Sequence, residues 1–477
     1  MLTTILIFMP MVAALVVWAV PLPRDITGAL AFITAFAEVG LWIGGAWRFD
    51  YDGGLQLDTR RDWFSDLGVS YHVGFYGFSL WLAGLAVVVG ALAIAYGVWA
   101  DRERARAYFG LMLFLTGSIV GVFAAQDLLL FYAFFEAMLI PIYVLVGVWG
   151  GPRRVAATVM FVIYTMAGSM LMLAAIVAFG ISQGTFNLID SGTSGNDWIF
   201  LGFAIAFAVK APLVPFHGWL RTAYTEAPPE VAAILSGVVS KAAVYGFIRI
   251  ALPKFPDPVE DFKTTILVLA AIGLAYGSVL AFRQPDIRGV VAYSSLGQMS
   301  LIVLGIFSLN EAGLDGAVLH SVSHGLVSAV MFLLAGMVER DYGSGAFARL
   351  GGAARGRPVL ATLLMTAGMF TLAVPGSANF AGEFLILTGV FRQGWGYSVV
   401  GATAIVLAAM YTLRVISAVL HERRGPEVPE SAPDIGFDRA IVVVPLIALL
   451  LALSVWPDAI SGNAFPSAGS ASVEIAP

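Results

Sequence analysis

Cysteine is absent from all 477 residues, which excludes disulfides, thiolate nucleophiles and cysteine-ligated zinc or iron-sulfur clusters. Charge is scarce too. Asp, Glu, Lys and Arg make up 12% of the chain, about half the fraction usual in soluble domains. So few ionised side chains cannot clothe the roughly three soluble domains that the length would otherwise suggest. Lysine is rarest, with four residues against 22 arginines. A net charge of -5 argues against nucleic acid as a partner. No G-x-G-x-x-G opens a helix after a strand and no phosphate-binding loop occurs; Gly343-Ser-Gly345 and Gly351-Gly352 read as flexible turn.

What is abundant is apolar sequence, at 59% of residues, arranged in runs near the length that spans a bilayer. Charged or Pro/Gly-rich breaks delimit fourteen spans, at about 1–20, 26–47, 72–99, 108–125, 128–149, 155–180, 198–217, 228–250, 264–282, 289–308, 312–338, 358–391, 396–420 and 440–456. The first run has no basic n-region and is expected to be a span, not a cleaved leader. Loops after the odd-numbered spans hold 16 of the basic residues, among them Arg102, Arg104, Arg106, Arg153 and Arg154, whereas the opposite set holds 7. By the positive-inside rule both termini face away from the cytoplasm.

With residues in loops and at span ends set aside, six charged residues remain inside spans: Glu38, Glu136, Lys210, Lys241, Glu383 and Arg414. A charge at the bilayer centre costs at least about 2.5 to 3.5 kcal/mol on insertion scales, so it is paired, hydrated or functional. Arg414 lies within two turns of a helix end and can snorkel. Glu38 has no obvious partner and reads as a helix-interface residue. Lys210 and Lys241 each lie about 12 residues into their spans, near mid-membrane at about 1.5 Å per residue. A buried ammonium can release its proton, whereas a guanidinium effectively cannot.

The seventh and twelfth spans also carry breaks at membrane depth. Ala211-Pro212-Leu213-Val214-Pro215 follows Lys210, and Val374-Pro375-Gly376-Ser377-Ala378-Asn379 precedes Glu383. Proline removes a backbone donor and clashes with the preceding turn, and freed carbonyls in a bilayer need protein or a watery cavity to satisfy them. Two interrupted spans five apart, each with an ionisable group, point to an inverted-repeat transporter. The expected fold is therefore an all-α polytopic membrane protein. N-terminal helices occupy 1–107, inverted five-helix repeats occupy 108–252 and 262–421, and a last helix occupies 438–460. Histidines add proton-carrying capacity: His217 follows the first break, and His320 and His324 share one face of the eleventh span at i, i+4 spacing. A metal reading of these histidines lacks a third ligand.

Several of these segments are long and specific: Phe131-Tyr-Ala-Phe-Phe-Glu136-Ala-Met-Leu-Ile-Pro141, Val209-Lys210-Ala-Pro-Leu-Val-Pro-Phe-His217-Gly-Trp219, Glu226-Ala-Pro-Pro229, Ser323-His324-Gly325 and Asn379-Phe-Ala-Gly-Glu383-Phe384. Together they resemble the antiporter-like M subunits of respiratory complex I, the proton-translocating NADH-quinone oxidoreductase. The resemblance covers nearly the whole chain. It implies proton translocation by Glu136, Lys210, Lys241 and Glu383, with His324 and, by weaker correspondence, His320 and His217 as relay groups. It further implies a bacterial inner (plasma) membrane location beside L-type and N-type subunits. No cofactor or metal is expected on this chain; NADH, flavin, iron-sulfur clusters and quinone would sit elsewhere in the complex. Two positions depart from the family pattern. Tyr76 stands where Asp is usual, and Arg221-Thr-Ala-Tyr224 stands where Pro-Asp-Ala-His is frequent. The same constellation also suits an Mrp-type cation/proton antiporter or a membrane-bound hydrogenase, and a third possibility is a scaffold that transports nothing.

Overall fold

The computed structural model describes residues 1–430 and 433–466. Its helices are α1 (Leu2–Ala19), α2 (Arg24–Ala46), α3 (Gly77–Trp99), α4 (Ala105–Ala124), α5 (Leu128–Trp149), α6 (Arg154–Gln183), α7 (Asp197–Lys210), α8 (Leu220–Glu226), α9 (Pro229–Lys254), α10 (Pro256–Arg283), α11 (Ile287–Ile306), α12 (Glu311–Tyr342), α13 (Pro358–Thr371), α14 (Ala378–Phe391), α15 (Trp395–His421) and α16 (Phe437–Val455). Twelve of them are long and apolar enough to cross a membrane. Of the four that are not, α7, α13 and α14 are pieces of the two spans expected to be broken, and α8 lies just beyond residue 217, where the first of them is expected to end. The protein is a multi-pass membrane protein, mostly helical. Its periphery exposes Ile140, Val155, Ile163, Ile181, Phe384 and Leu413, a surface suited to lipid or apolar partners and not to water. By contrast, the apolar stretches of α9 and α12 are completely buried.

One element departs from the all-helical expectation. Strands β1 (Gln56–Phe64) and β2 (Val69–Phe75) form an antiparallel hairpin between α2 and α3, with Arg60 opposite His72. The third helix therefore starts at Gly77 and not at 72. Gly68, at φ +68°, supplies the left-handed turn between the strands. Asp127 anchors β2 to the rest of the protein: it accepts from Ser70 N (3.0 Å) while capping α5 through Leu129 N and Leu130 N. Asn187 donates to His72 Nδ1 (2.8 Å).

Both breaks are satisfied by protein. At the first, the Trp219 indole donates to Val209 O (3.1 Å) and Leu213 N to Ala208 O (2.8 Å), occupying carbonyls that the helix can no longer pair. At the second, Gly376 adopts φ +92°, Ser377 Oγ accepts from Phe380 N (3.2 Å), and Ala378 N donates to Ser454 Oγ of α16 (2.9 Å).

Glycines set the helix spacing at the core. A Cβ on Gly237 of α9 would lie 2.8 Å from Gly325 O of α12, and one on Gly325 would lie 2.6 Å from Gly237 O. A Cβ on Gly382 of α14 would lie 2.8 Å from His320 Cβ. Neither backbone can yield, so the two crossings require glycine. Gly237→Ala should push α9 off α12 at an overpacking cost of about 1–3 kcal/mol, visible as a lower melting temperature of the assembled protein. An unchanged melting profile would contradict the tight crossing.

Candidate functional site

The α9–α12 crossing places Lys241 against His324. Lys241 is wholly buried. Its Nζ donates to Ser236 O (2.9 Å) and Ser240 Oγ (3.4 Å) and shares a 2.9 Å hydrogen bond with His324 Nδ1. None of these partners is anionic. Ser236 lies in a π-helical turn of α9, Leu235–Val239, a distortion frequent at functional sites. The 2.9 Å bond joins two groups that each exist with and without a proton. The proton can sit on the ammonium, facing a bare Nδ1, or on Nδ1, facing a neutral amine. Hydroxyls surround the pair, with Ser236 Oγ within 2.9 Å of Ser295 Oγ and 2.6 Å of Ser328 Oγ.

One turn back along α12, the His320 ring lies 6.1 Å from that of His324, nearly parallel to it. His320 Nε2 contacts Gln298 Oε1 of α11 at 2.7 Å, and Gln298 Nε2 donates to Glu383 Oε1 of α14 at 3.1 Å. Lys241, His324, His320 and Glu383 are thus joined in one buried polar series across four helices. Gln298 completes it, although the sequence reading passed over it because it carries no charge. The available signal was a lone amide within an apolar span, in Gly297-Gln298-Met299. Beside the series lies a cavity lined in part by Gln298, His324, Asn379, Tyr411 and Thr412. It offers about 20 Å³ to the centres of water-sized molecules, room for roughly one or two waters.

The other expected residues fall outside this series, and the unpartnered atoms named for them lack partners among the described residues. Lys210 is buried at the end of α7 with no hydrogen-bond partner for its Nζ, which sits over the Phe135 ring, 4.6 Å from the centroid. Glu136, on the same turn of α5 as Phe135, has Oε1 buried and equally unpartnered. No hydrogen bond joins it to Lys210 among the described residues. His217 meets Tyr276 edge to face at 5.3 Å, and its Nδ1 has no partner. Glu38 is buried with both oxygens unpartnered. Arg414 reaches Phe282 O and the Phe347 ring, as snorkelling would have it.

Arg249, one residue from the end of the expected 228–250 span and counted there with the loop residues, is more deeply placed than that, because the helix runs on to Lys254. It lies within α9, buried, with its guanidinium over the Tyr76 ring at 4.7 Å and Nε donating to Gln126 Oε1 at 2.9 Å. Tyr76, the departure from an expected acid, thus meets a cation through its ring face. The second departure is accommodated too: Arg221 bonds Gln284 Oε1 (2.8 Å) and Asp286 Oδ2 (3.4 Å), and Tyr224 donates to Leu235 O (3.3 Å). The segment Glu226-Ala-Pro-Pro229 is clamped by Arg153 on Glu226, Arg288 on Ala227 O, and Arg102 with both oxygens of the adjacent Glu230.

Comparison with known proteins accords with this geometry. The family model described as NADH:quinone oxidoreductase/Mrp antiporter, transmembrane region, matches residues 125–409. The NADH-quinone oxidoreductase subunit M of Mycobacterium tuberculosis is 36% identical over 451 residues, which covers 84% of this chain and 81% of that one. A chain in the structure of respiratory complex I from Thermus thermophilus superposes with a TM-score of 0.90 at 29% identity, covering 98% of each chain. A chain of the Mrp complex from Dietzia sp. superposes at 0.88 and 21% identity, again over 98% of each; that likeness is one of fold alone.

Proposed function

The chain belongs to the NADH:quinone oxidoreductase/Mrp antiporter transmembrane family, and from that premise we propose that it is the antiporter-like M-type subunit of a proton-translocating NADH-quinone oxidoreductase. It resides in a bacterial inner membrane with both termini on the non-cytoplasmic side, beside L-type and N-type subunits. NADH, flavin, iron-sulfur clusters and quinone belong to other subunits, so quinone reduction is coupled to this chain from a distance. Two inverted five-helix repeats, 108–252 and 262–421, each contribute one broken span: Lys210 precedes the break in the first and Glu383 follows it in the second.

The observation that carries this reading is the buried series from Lys241 through His324 and His320 to Gln298 and Glu383. Protonatable groups at membrane depth are expensive to retain and typically mark proton pathways. In the proposed cycle Glu136 sets the charge state of Lys210, Lys241 and His324 pass the proton laterally with His320 assisting, and Glu383 exchanges it with one aqueous side. His217, set apart against Tyr276, is at most an accessory at the first break.

In proteoliposomes carrying the assembled complex, Glu383→Gln should leave NADH oxidation measurable while the proton yield per electron falls severalfold. A normal yield in that variant would remove Glu383 from the path.

A further inference from the structure

Gln298 stands where an amide has an unusual consequence. At one end it meets His320 Nε2 through Oε1, at the other Glu383 Oε1 through Nε2. The remaining polar atoms of both neighbours, His320 Nδ1 and Glu383 Oε2, are buried without a hydrogen-bond partner. The amide is therefore the hydrogen-bond link at each end. All three side chains are nearly or wholly buried, so water cannot freely mask a mismatch.

An amide end is a donor on one side and an acceptor on the other. With Oε1 toward His320, the contact requires a proton on Nε2, and the Nε2–H toward Glu383 requires a bare carboxyl oxygen. After a half-turn of the amide, Oε1 toward Glu383 requires a proton on that oxygen, and the Nε2–H toward His320 requires a bare imidazole nitrogen. If both facing atoms are protonated, two donors compete for one acceptor. If neither is, Oε1 faces a lone pair. Each mismatch leaves a buried polar atom unmet, a penalty equivalent to roughly tenfold or more in population.

We propose that Gln298 is a positioning residue that holds one proton, and only one, between His320 Nε2 and Glu383 Oε1. The inference rests on the proton-relay reading above and deepens it. Gln298 keeps its own bonds throughout. The proton that moves is the second proton of a His320 imidazolium: its Nε2–H bond breaks and an O–H bond forms at Glu383 Oε1, leaving an imidazole protonated at Nδ1 and a neutral carboxyl, or the reverse. A water drawn from the adjoining cavity, which Gln298 and His324 line, carries the proton, and the amide turns as it passes. The consequence is tight coupling. Glu383 Oε1, the oxygen that faces Gln298, cannot be loaded while His320 still holds its proton at Nε2, which suppresses slip through the second half of the chain.

The test is the proton yield per electron in proteoliposomes of the assembled complex, measured for Gln298→Met, which keeps the length but bonds neither neighbour, against the unaltered complex and Glu383→Gln. Gln298→Met should lower the proton yield per electron by about half or more and raise the passive proton leak, whatever its rate of NADH oxidation. An unchanged yield and leak in Gln298→Met, with pumping lost in Glu383→Gln, would overturn the interlock and leave the relay standing. An unchanged yield in Glu383→Gln would bring down the relay itself. A second measurement does not depend on assembly of Gln298→Met. In infrared difference spectra of the unaltered complex across pH, the carboxylic acid band lost in Glu383→Gln and the Nε2-protonated imidazole band lost in His320→Asn should change in opposite directions in the same step. Any other pattern overturns the proposal.

Discussion

Replacing Lys241 by glutamine should abolish coupled proton movement in the assembled complex, and replacing it by arginine should fail to restore it. Lys241 is wholly buried, and its three hydrogen-bond partners are a carbonyl, a hydroxyl and an imidazole nitrogen. A static role for the cation, holding α9 to α12, would be served by any residue that kept the positive charge. A role in transfer needs a group that releases its proton to His324 Nδ1 across the 2.9 Å bond and takes another back. Guanidinium effectively never deprotonates in proteins. Arginine therefore keeps the charge and removes the chemistry, while glutamine removes both. The stability loss from either variant is bounded, since an unmet buried hydrogen bond costs about 1–3 kcal/mol, too little to dismantle a subunit held by so many buried helices. The measurements are NADH-driven acidification of proteoliposomes and the amount of assembled complex on native gels. Pumping in the arginine variant near the unaltered level would make Lys241 structural.

The case for Lys241 was open to sequence reasoning in part, and the boundary is instructive. Ionisable residues within apolar runs are visible because a bilayer makes each one costly. The breaks at Pro212, Pro215, Pro375 and Gly376 are visible because proline and glycine act locally. The hairpin was hidden because Val69–Phe75 runs into the apolar sequence of α3, and a short apolar run does not by its periodicity distinguish strand from buried helix. Arg249 was hidden because α9 continues to Lys254, two turns of which sit on charge and proline that resemble a loop. Gln298 was hidden for a different reason. Neutral amides have small insertion penalties, and its importance arises only from what stands on either side of it, which depends on how α11, α12 and α14 are packed. The glycines at 237, 325 and 382 are in the same class: sequence shows small residues, and only the packing shows that backbone from another helix occupies the space.

Glu136→Gln should likewise abolish coupled pumping, although no hydrogen bond joins Glu136 to Lys210. The ammonium rests on the Phe135 ring, and both it and Glu136 Oε1 are buried without a partner. In the proposed cycle this arrangement is one position of a switch. Two unit charges about 4 Å apart attract by about 4 kcal/mol at an effective dielectric near 20, whereas the contact with the ring offers about 0.5–2 kcal/mol. Closing the pair therefore favours the protonated ammonium strongly over the state seen here, and opening it releases that stabilisation. The difference, about 2–3.5 kcal/mol, is of the same size as the roughly 2.3 kcal/mol that moving one charge against 100 mV requires. A swing of Lys210 between Phe135 and Glu136 therefore has the magnitude that proton expulsion against a physiological potential calls for. Glutamine at 136 keeps the shape and hydrogen-bonding capacity but removes the attraction, so Lys210 is left with the ring alone and the switch has no second position. Phe135→Leu provides the complementary measurement: with the ring gone, Lys210 should settle on Glu136, and pumping should fall by several-fold with NADH oxidation retained. A normal proton yield per electron in the Glu136→Gln complex would exclude the switch.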